Sequence, residues 1–268
     1  SLIESAARCG IGLLADLVHT HVHRDFLPFC DVRLRGQESP WADWFYLLRH
    51  PFADAGEGGP DPGYAHYQKG QWCEPLLRSD HPAVIDYLCR VAERYIERGF
   101  AGLRIDAASD APIAFLRRLR QVVGPAALLL GEVTTDNPVR FTGSLLHAAT
   151  DFAPQRALLA WLGAGEAAVD TPTTRSALCR ASLSRGAPES VLSFTATHDQ
   201  PRLLTRLGDA RRARLGALIT LLSAPVPAIY YGDEVGLCAP SSEPAAAARD
   251  FDDAWPDRRP FDWTEATW

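Results

Sequence analysis

Six short apolar runs, each closing on polar or charged residues, do most to limit what this chain of 268 residues can become. The first is Ile11-Gly-Leu-Leu-Ala-Asp16-Leu-Val. Others lie at Leu103–Ala107, Ala127–Val133, Val191–Thr195 and Ala228–Tyr231, with a weaker one around Ala148–Phe152. Between them the spacing is helical. Over Pro82–Arg98, the residues Val84, Leu88, Val91, Ala92, Tyr95 and Ile96 share one face. Asp80 and Pro82 supply a start for that helix and Gly99 a stop. Further helices are expected at Ala114–Val122 and Arg211–Leu222. Strands alternating with helices predict βα units and a parallel sheet, hence an α/β fold. Polar residues gathered at the C-terminal ends of strands predict a (β/α)8 TIM barrel, which builds its active site there. Six strands are two short of eight, and the missing first pair is expected before Ser1.

The stretch after the first strand is too long for an ordinary loop. It reads as a small inserted subdomain, residues 22–80, within a partial catalytic barrel spanning 1–268. Its aromatic residues Trp41, Trp44, Phe45, Tyr46, Tyr64, Tyr67 and Trp72 are expected mostly to form its core, with Tyr67 or Trp72 facing a cleft. The tail from Arg249 to Trp268 reads as a loop.

Charge and composition exclude several functions. A formal net charge of −6, with Lys69 the only lysine, is unsuited to nucleic acid, which needs clustered cations. The longest apolar candidate, Leu215 to Pro227, is broken by Ser223 and two prolines and falls short of the roughly 18 residues of a membrane span. Six scattered cysteines without a Cys-x-x-Cys, Cys9, Cys30, Cys73, Cys89, Cys179 and Cys238, read as reduced thiols. Such thiols make the cytoplasm the expected location.

The chemistry centres on carboxyl groups at successive strand ends. In a strand, Arg104 and Asp106 project from one face, and the cation favours the ionised carboxylate. Glu132 closes the apolar run Leu128-Leu-Leu-Gly-Glu, where partial desolvation favours the protonated form. Retaining glycoside hydrolysis needs such a pair about 5–5.5 Å apart, one ionised as nucleophile and one protonated as acid. Asp199 supplies a third carboxylate, suited to positive charge developing on a sugar ring. No cofactor is needed.

Four ordered motifs carry a family resemblance. Asp16-Leu-Val-His-Thr-His21, Gly102-Leu-Arg-Ile-Asp106-Ala-Ala-Ser-Asp110, Gly131-Glu132-Val and Phe194-Thr-Ala-Thr-His198-Asp199 resemble those of the α-amylase superfamily, glycoside hydrolase family 13. Pro227-Ala-Ile-Tyr-Tyr-Gly-Asp-Glu234 resembles the family's eighth strand. Within the superfamily the chain is most similar to the neopullulanase, cyclomaltodextrinase and maltogenic amylase group. Trp41-Ala-Asp-Trp-Phe45, Glu74-Pro-Leu-Leu77 with His81-Pro82, and Ser193 to Arg202 carry that likeness.

The resemblance implies double displacement on an α-glucan substrate. Asp106 would be the nucleophile, Glu132 the acid and base, and Asp199 the transition-state stabiliser. Arg104 would hold Asp106 ionised, and Asp16 would support the base of the site. His21 and His198 would donate to sugar hydroxyls, and Asp110 would bear on the acceptor side. Thr20 stands where the family usually carries an asparagine that often helps to hold calcium, so the residues do not support a calcium site.

Two other readings compete. His19-Thr-His21-Val-His23 after a strand suits a metal-dependent amidohydrolase, but the later strands offer few further ligands; His19 and His23 are expected to be loop residues. An inactive or truncated glucan-binding relative would keep the motifs without turnover. Asp233 and Glu234, being adjacent, point to opposite sides of the chain and are expected to be structural.

Overall fold

The computed structural model describes residues 1–52, 62–67, 72–135, 137–164, 190–238, 258, 260–261 and 263. Lys69, Cys179 and nearly all of the 249–268 tail lie outside them. The chain forms two compact units, one of residues 1–133 and 141–148, the other of 134–140 and 149–268.

In the first unit, α1 (Leu2–Arg8) leads into β1 (Leu14–Leu17). β1 pairs in parallel with β2 (Gly102–Ile105), and β2 with β3 (Leu128–Gly131). Burial alternates along these strands. Ala15, Leu17, Leu103, Ile105 and Leu129 are buried, whereas Asp16, Arg104 and Leu130 stand in register on the other face. α3 (Pro82–Glu97) packs on β2 and on α4 (Ile113–Val123), burying Val84, Leu88 and Ala92 of the one and Phe115, Leu116 and Leu119 of the other. Each of the Val, Leu and Phe side chains contributes about 1.5–3 kcal/mol. The N-cap position of α3 is His81 rather than Asp80, without a side-chain cap, Pro82 opens its first turn, and Gly99 (φ 98°) follows its end.

Two motif glycines have a steric cause. A Cβ on Gly102 would lie 2.0 Å from the carbonyl oxygen of Leu128 on the neighbouring strand. A Cβ on Gly131 would lie 2.3 Å from the Leu146 side chain and 2.9 Å from Cβ of Ala108. Only glycine lets the backbones come this close.

Between β1 and α3, α2 (Leu27–Arg35) brings in Phe29, fully buried. Its ring meets Phe45 at 4.8 Å and Tyr64 at 4.9 Å, both edge-on. The aromatic core here is therefore Phe29, Phe45 and Tyr64. Trp41 and Trp44 are half-buried and Tyr46 is exposed, against expectation. Phe29 escaped notice because it lies ahead of the Trp- and Tyr-rich stretch, in the mixed run Phe26-Leu-Pro-Phe29-Cys-Asp.

In the second unit, β4 (Ala148–Thr150), β5 (Val191–Phe194) and β6 (Val226–Ala228) pair in parallel in that order. The helices are α5 (Phe152–Ala164), α6 (Leu203–Leu207) and α7 (Ala210–Ser223), the last capped by Asp209, which accepts the N–H groups of Arg211 and Arg212. β6 ends before the tyrosines expected to lie in it. Arg202, buried to 1% exposure, lies 4.2 Å and 4.7 Å from the ring centres of Tyr230 and Tyr231 and pairs with Asp233 at 3.0 Å. The aromatic residues are thus taken up by a clamp on a buried cation, and the chain turns at Gly232. Burial raises the pKa of Asp233 against the pull of Arg202.

No helix of the described residues is long and apolar enough to cross a membrane. The five described cysteines are free thiols.

Candidate active site

The register of the first three strands builds the site. Asp16 stands opposite Arg104, and Ile105 opposite Gly131. One residue further, the N–H of Glu132 donates to Ile105 at 2.9 Å, and that of Asp106 to Leu17 at 3.1 Å. Three carboxylates therefore leave adjacent strand ends around one cation.

Arg104 holds them all. Its Nη1 donates to Asp106 Oδ1 at 2.7 Å and to both oxygens of Asp16 at 2.8 and 2.9 Å. Its Nη2 lies 3.0 Å from Glu132 Oε2. Burial works against the guanidinium, but Glu132, and then Asp16 and Asp106, outweigh it and hold the arginine's pKa above its usual value. Arg104 was expected to serve Asp106; it serves Glu132 and Asp16 as well.

The turn after Asp106 is unusual. Ala107 adopts the left-handed conformation, φ 43° and ψ 44°, which alanine disfavours. That twist aims its N–H at Glu132 Oε2, 3.0 Å away. Two donors converge on Oε2, so Oε1 is the oxygen left to carry a proton.

His21 is half-buried and stacks on Tyr67 with ring centres 4.3 Å apart. Its Nδ1 meets Thr20 Oγ1 at 2.9 Å, and its Nε2 is 3.9 Å from Glu74 Oε2. Burial lowers its pKa, while the charges of Glu74 and Asp106 oppose the shift. Asp110 is exposed, and its backbone N–H donates to the Ala107 carbonyl at 2.9 Å. His19 lies in the irregular stretch after β1, as expected, but is buried to 1% exposure beneath the Asp106–Ala107 turn, whereas His23 is exposed beside Asp25. Among the described residues no group of three or more His, Cys, Asp and Glu side chains could hold a metal. The Thr20 hydroxyl is engaged with His21.

His198 and Asp199 belong to the second unit, after β5. Asp199 accepts from Arg258 Nη2 at 2.8 Å, and its other oxygen lies 3.3 Å from His198 Nε2. Arg258 Nε also donates to the His198 carbonyl at 2.6 Å. Arg258 was not foreseen: it lies far along the chain in a segment without periodic pattern.

The catalytic-domain model of the α-amylase family matches residues 1–267. The chain belongs to that family. It is 29% identical over 268 residues to neopullulanase 2 of Thermoactinomyces vulgaris, covering 98% of this chain and 43% of that protein. It is 32% identical over 241 residues to a cyclomaltodextrinase of a Bacillus species, covering 88% and 42%. A solved cyclomaltodextrinase structure superposes with a TM-score of 0.78 at 32% identity, over 89% of this chain and 41% of that one. The chain thus spans less than half the length of these relatives. Asp16, Asp106 and Glu132 are in direct contact with one another through Arg104.

Proposed function

We propose that this chain is the catalytic portion of a retaining enzyme that cleaves α-glucosidic bonds of maltodextrins or transfers across them. The observation that carries the reading is the grip of one guanidinium on Asp106 and Glu132 at neighbouring strand ends. The names of the neopullulanase and cyclomaltodextrinase relatives support the substrate class.

In this reading the Asp106 carboxylate attacks the anomeric carbon. The bond to the leaving sugar breaks, and Glu132 Oε1 gives that oxygen its proton. A glycosyl ester on Asp106 results. Water or an acceptor hydroxyl then attacks the same carbon, Glu132 takes back the proton, and the ester bond breaks to free Asp106. Arg104 spreads its charge over the nucleophile and the acid, so neither must reorganise solvent as charge moves. Asp199 and His198 contact ring hydroxyls, and Arg258 holds Asp199 in place. His21, backed by Tyr67, donates to the sugar at the cleaved unit, and Asp110 faces the acceptor. Residues 22–80 act as an inserted subdomain, supported by the Phe29 core. Five free thiols suit a cytoplasmic setting.

The test is release of reducing sugar from maltodextrin by the 268-residue chain, with Asp106→Asn alongside. Activity in the parent and its loss in the variant are expected. A fluorinated glycosyl donor should leave its mass on Asp106. Activity surviving Asp106→Asn would sink the assignment, and binding of maltodextrin without turnover by the parent would favour a glucan-binding role.

A further inference from the structure

His19 is buried to 1% exposure two residues beyond β1, with its ring 5.6 Å from that of Phe115 on α4. Its Nε2 lies 3.3 Å from the carbonyl oxygen of Ala107. A carbonyl only accepts, so Nε2 carries the hydrogen and Nδ1 is the bare nitrogen. Nδ1 is buried and has no hydrogen-bond partner. A buried polar atom left unmatched is unfavourable. Phenylalanine would fill the same place, beside Phe115, without that cost. The imidazole therefore contributes one thing a hydrocarbon cannot, the bond to Ala107.

Ala107 is the residue on which that bond matters. Its left-handed backbone is disfavoured for alanine and persists only where its surroundings hold it. Its N–H points at Glu132 Oε2, and its carbonyl accepts from the Asp110 N–H on one side and from His19 on the other, with Asp106 immediately before it. The N–H and the carbonyl lie in successive peptide planes that meet at the Ala107 Cα, so a bond that holds the carbonyl holds ψ, one of the two dihedrals the narrow left-handed region requires together.

We propose that His19 is a positioning residue which, through the Ala107 carbonyl, aims the Ala107 N–H at Glu132 and sets the rotation of Asp106. The inference rests on the catalytic roles of Asp106 and Glu132 given above. Burial lowers the pKa of the ring against the pull of the Ala107 carbonyl and the charges of Asp106 and Asp110, with His21 acting in the same sense as burial.

The experiment compares the full chain with His19→Phe and His19→Gln, the glutamine amide being able to donate to the same carbonyl. Hydrogen exchange at the Ala107 amide needs no turnover. His19→Phe should speed it at least tenfold while the amides of Leu103 and Arg104 keep their rates, and His19→Gln should restore part of the protection. In turnover, His19→Phe should lower kcat by roughly 10- to 100-fold with KM little changed, and the unfolding temperature should hold or rise. Unchanged Ala107 exchange in His19→Phe overturns the proposal. So does exchange that rises equally at Leu103 and Arg104, which marks a merely structural role. If the parent chain proves inactive, the catalytic reading fails, while the exchange comparison still decides what His19 does.

Discussion

The amide of Ala107 donates to Glu132 at 3.0 Å, and it lands on the same oxygen that Arg104 holds. One side of the glutamate is thereby fixed by donors and the other is left to exchange a proton. This asymmetry underlies the first prediction. Glu132→Gln keeps the shape but cannot give a proton. Its loss on maltodextrin should be roughly 10²- to 10⁴-fold, and much smaller in the burst of an aryl glycoside whose leaving group needs no proton. Equal losses on both substrates would contradict the acid role.

Arg104→Lys should be severe although charge is kept. Lysine offers a single nitrogen where Nη1 and Nη2 now serve different carboxylates. Stability should fall by about 2 kcal/mol, since like charges are left facing one another partly buried. Molar salt should recover part of the loss by screening. Urea titration with and without salt measures both.

Burial lowers the pKa of His19 and of His21 in the folded chain. The unfolded histidines, near 6.5, therefore take up protons first as pH falls, and folding stability declines with them. The contribution is complete above pH 6.5 and is lost below it, down to the lowered folded values. Urea midpoints should drop between pH 7.5 and 5.5, with a shallower slope in His19→Phe. An identical slope would remove His19 from the account.

Gly102→Ala should fold poorly. The added methyl meets the backbone of Leu128, which has no rotamer to escape by. A loss of about 1–3 kcal/mol or more is expected, read as a lowered urea midpoint.

Arg258→Ala removes the donor on Asp199 and on the carbonyl of His198. A hydrogen bond between charged groups is worth about 1.5–3 kcal/mol, so kcat/KM on maltodextrin should fall about tenfold or more. The unfolding temperature should barely change, because the pair is partly solvent-exposed.

The strands were legible because each is a short apolar run ended by polar residues, and parallel register did the rest: it aligned Asp16 with Arg104 and set Asp106 beside Glu132. Helices α3 and α4 were legible from their spacing. Contacts that depend on chain conformation were not. Ala107 has no glycine to announce its left-handed turn. His19 lies in the loop the sequence suggested, but its burial there has no periodic signal. Arg258 reaches Asp199 across 59 positions, and no local pattern marks such a pairing. Tyr230 and Tyr231 favoured a strand by type but were claimed by Arg202.

The close approach at Gly131 divides the site into ground that can change and ground that cannot. Directly beside Glu132, Leu146 and Ala108 leave no volume for even a methyl group at Gly131. Asp110, by contrast, is exposed and commits only its backbone to the turn. Altered substrate choice must therefore come from the open rim, where a side chain can be exchanged without disturbing the floor. A library confined to Asp110 and its exposed neighbours should yield folded variants at high frequency; one that includes Gly131 should mostly yield chains that do not fold.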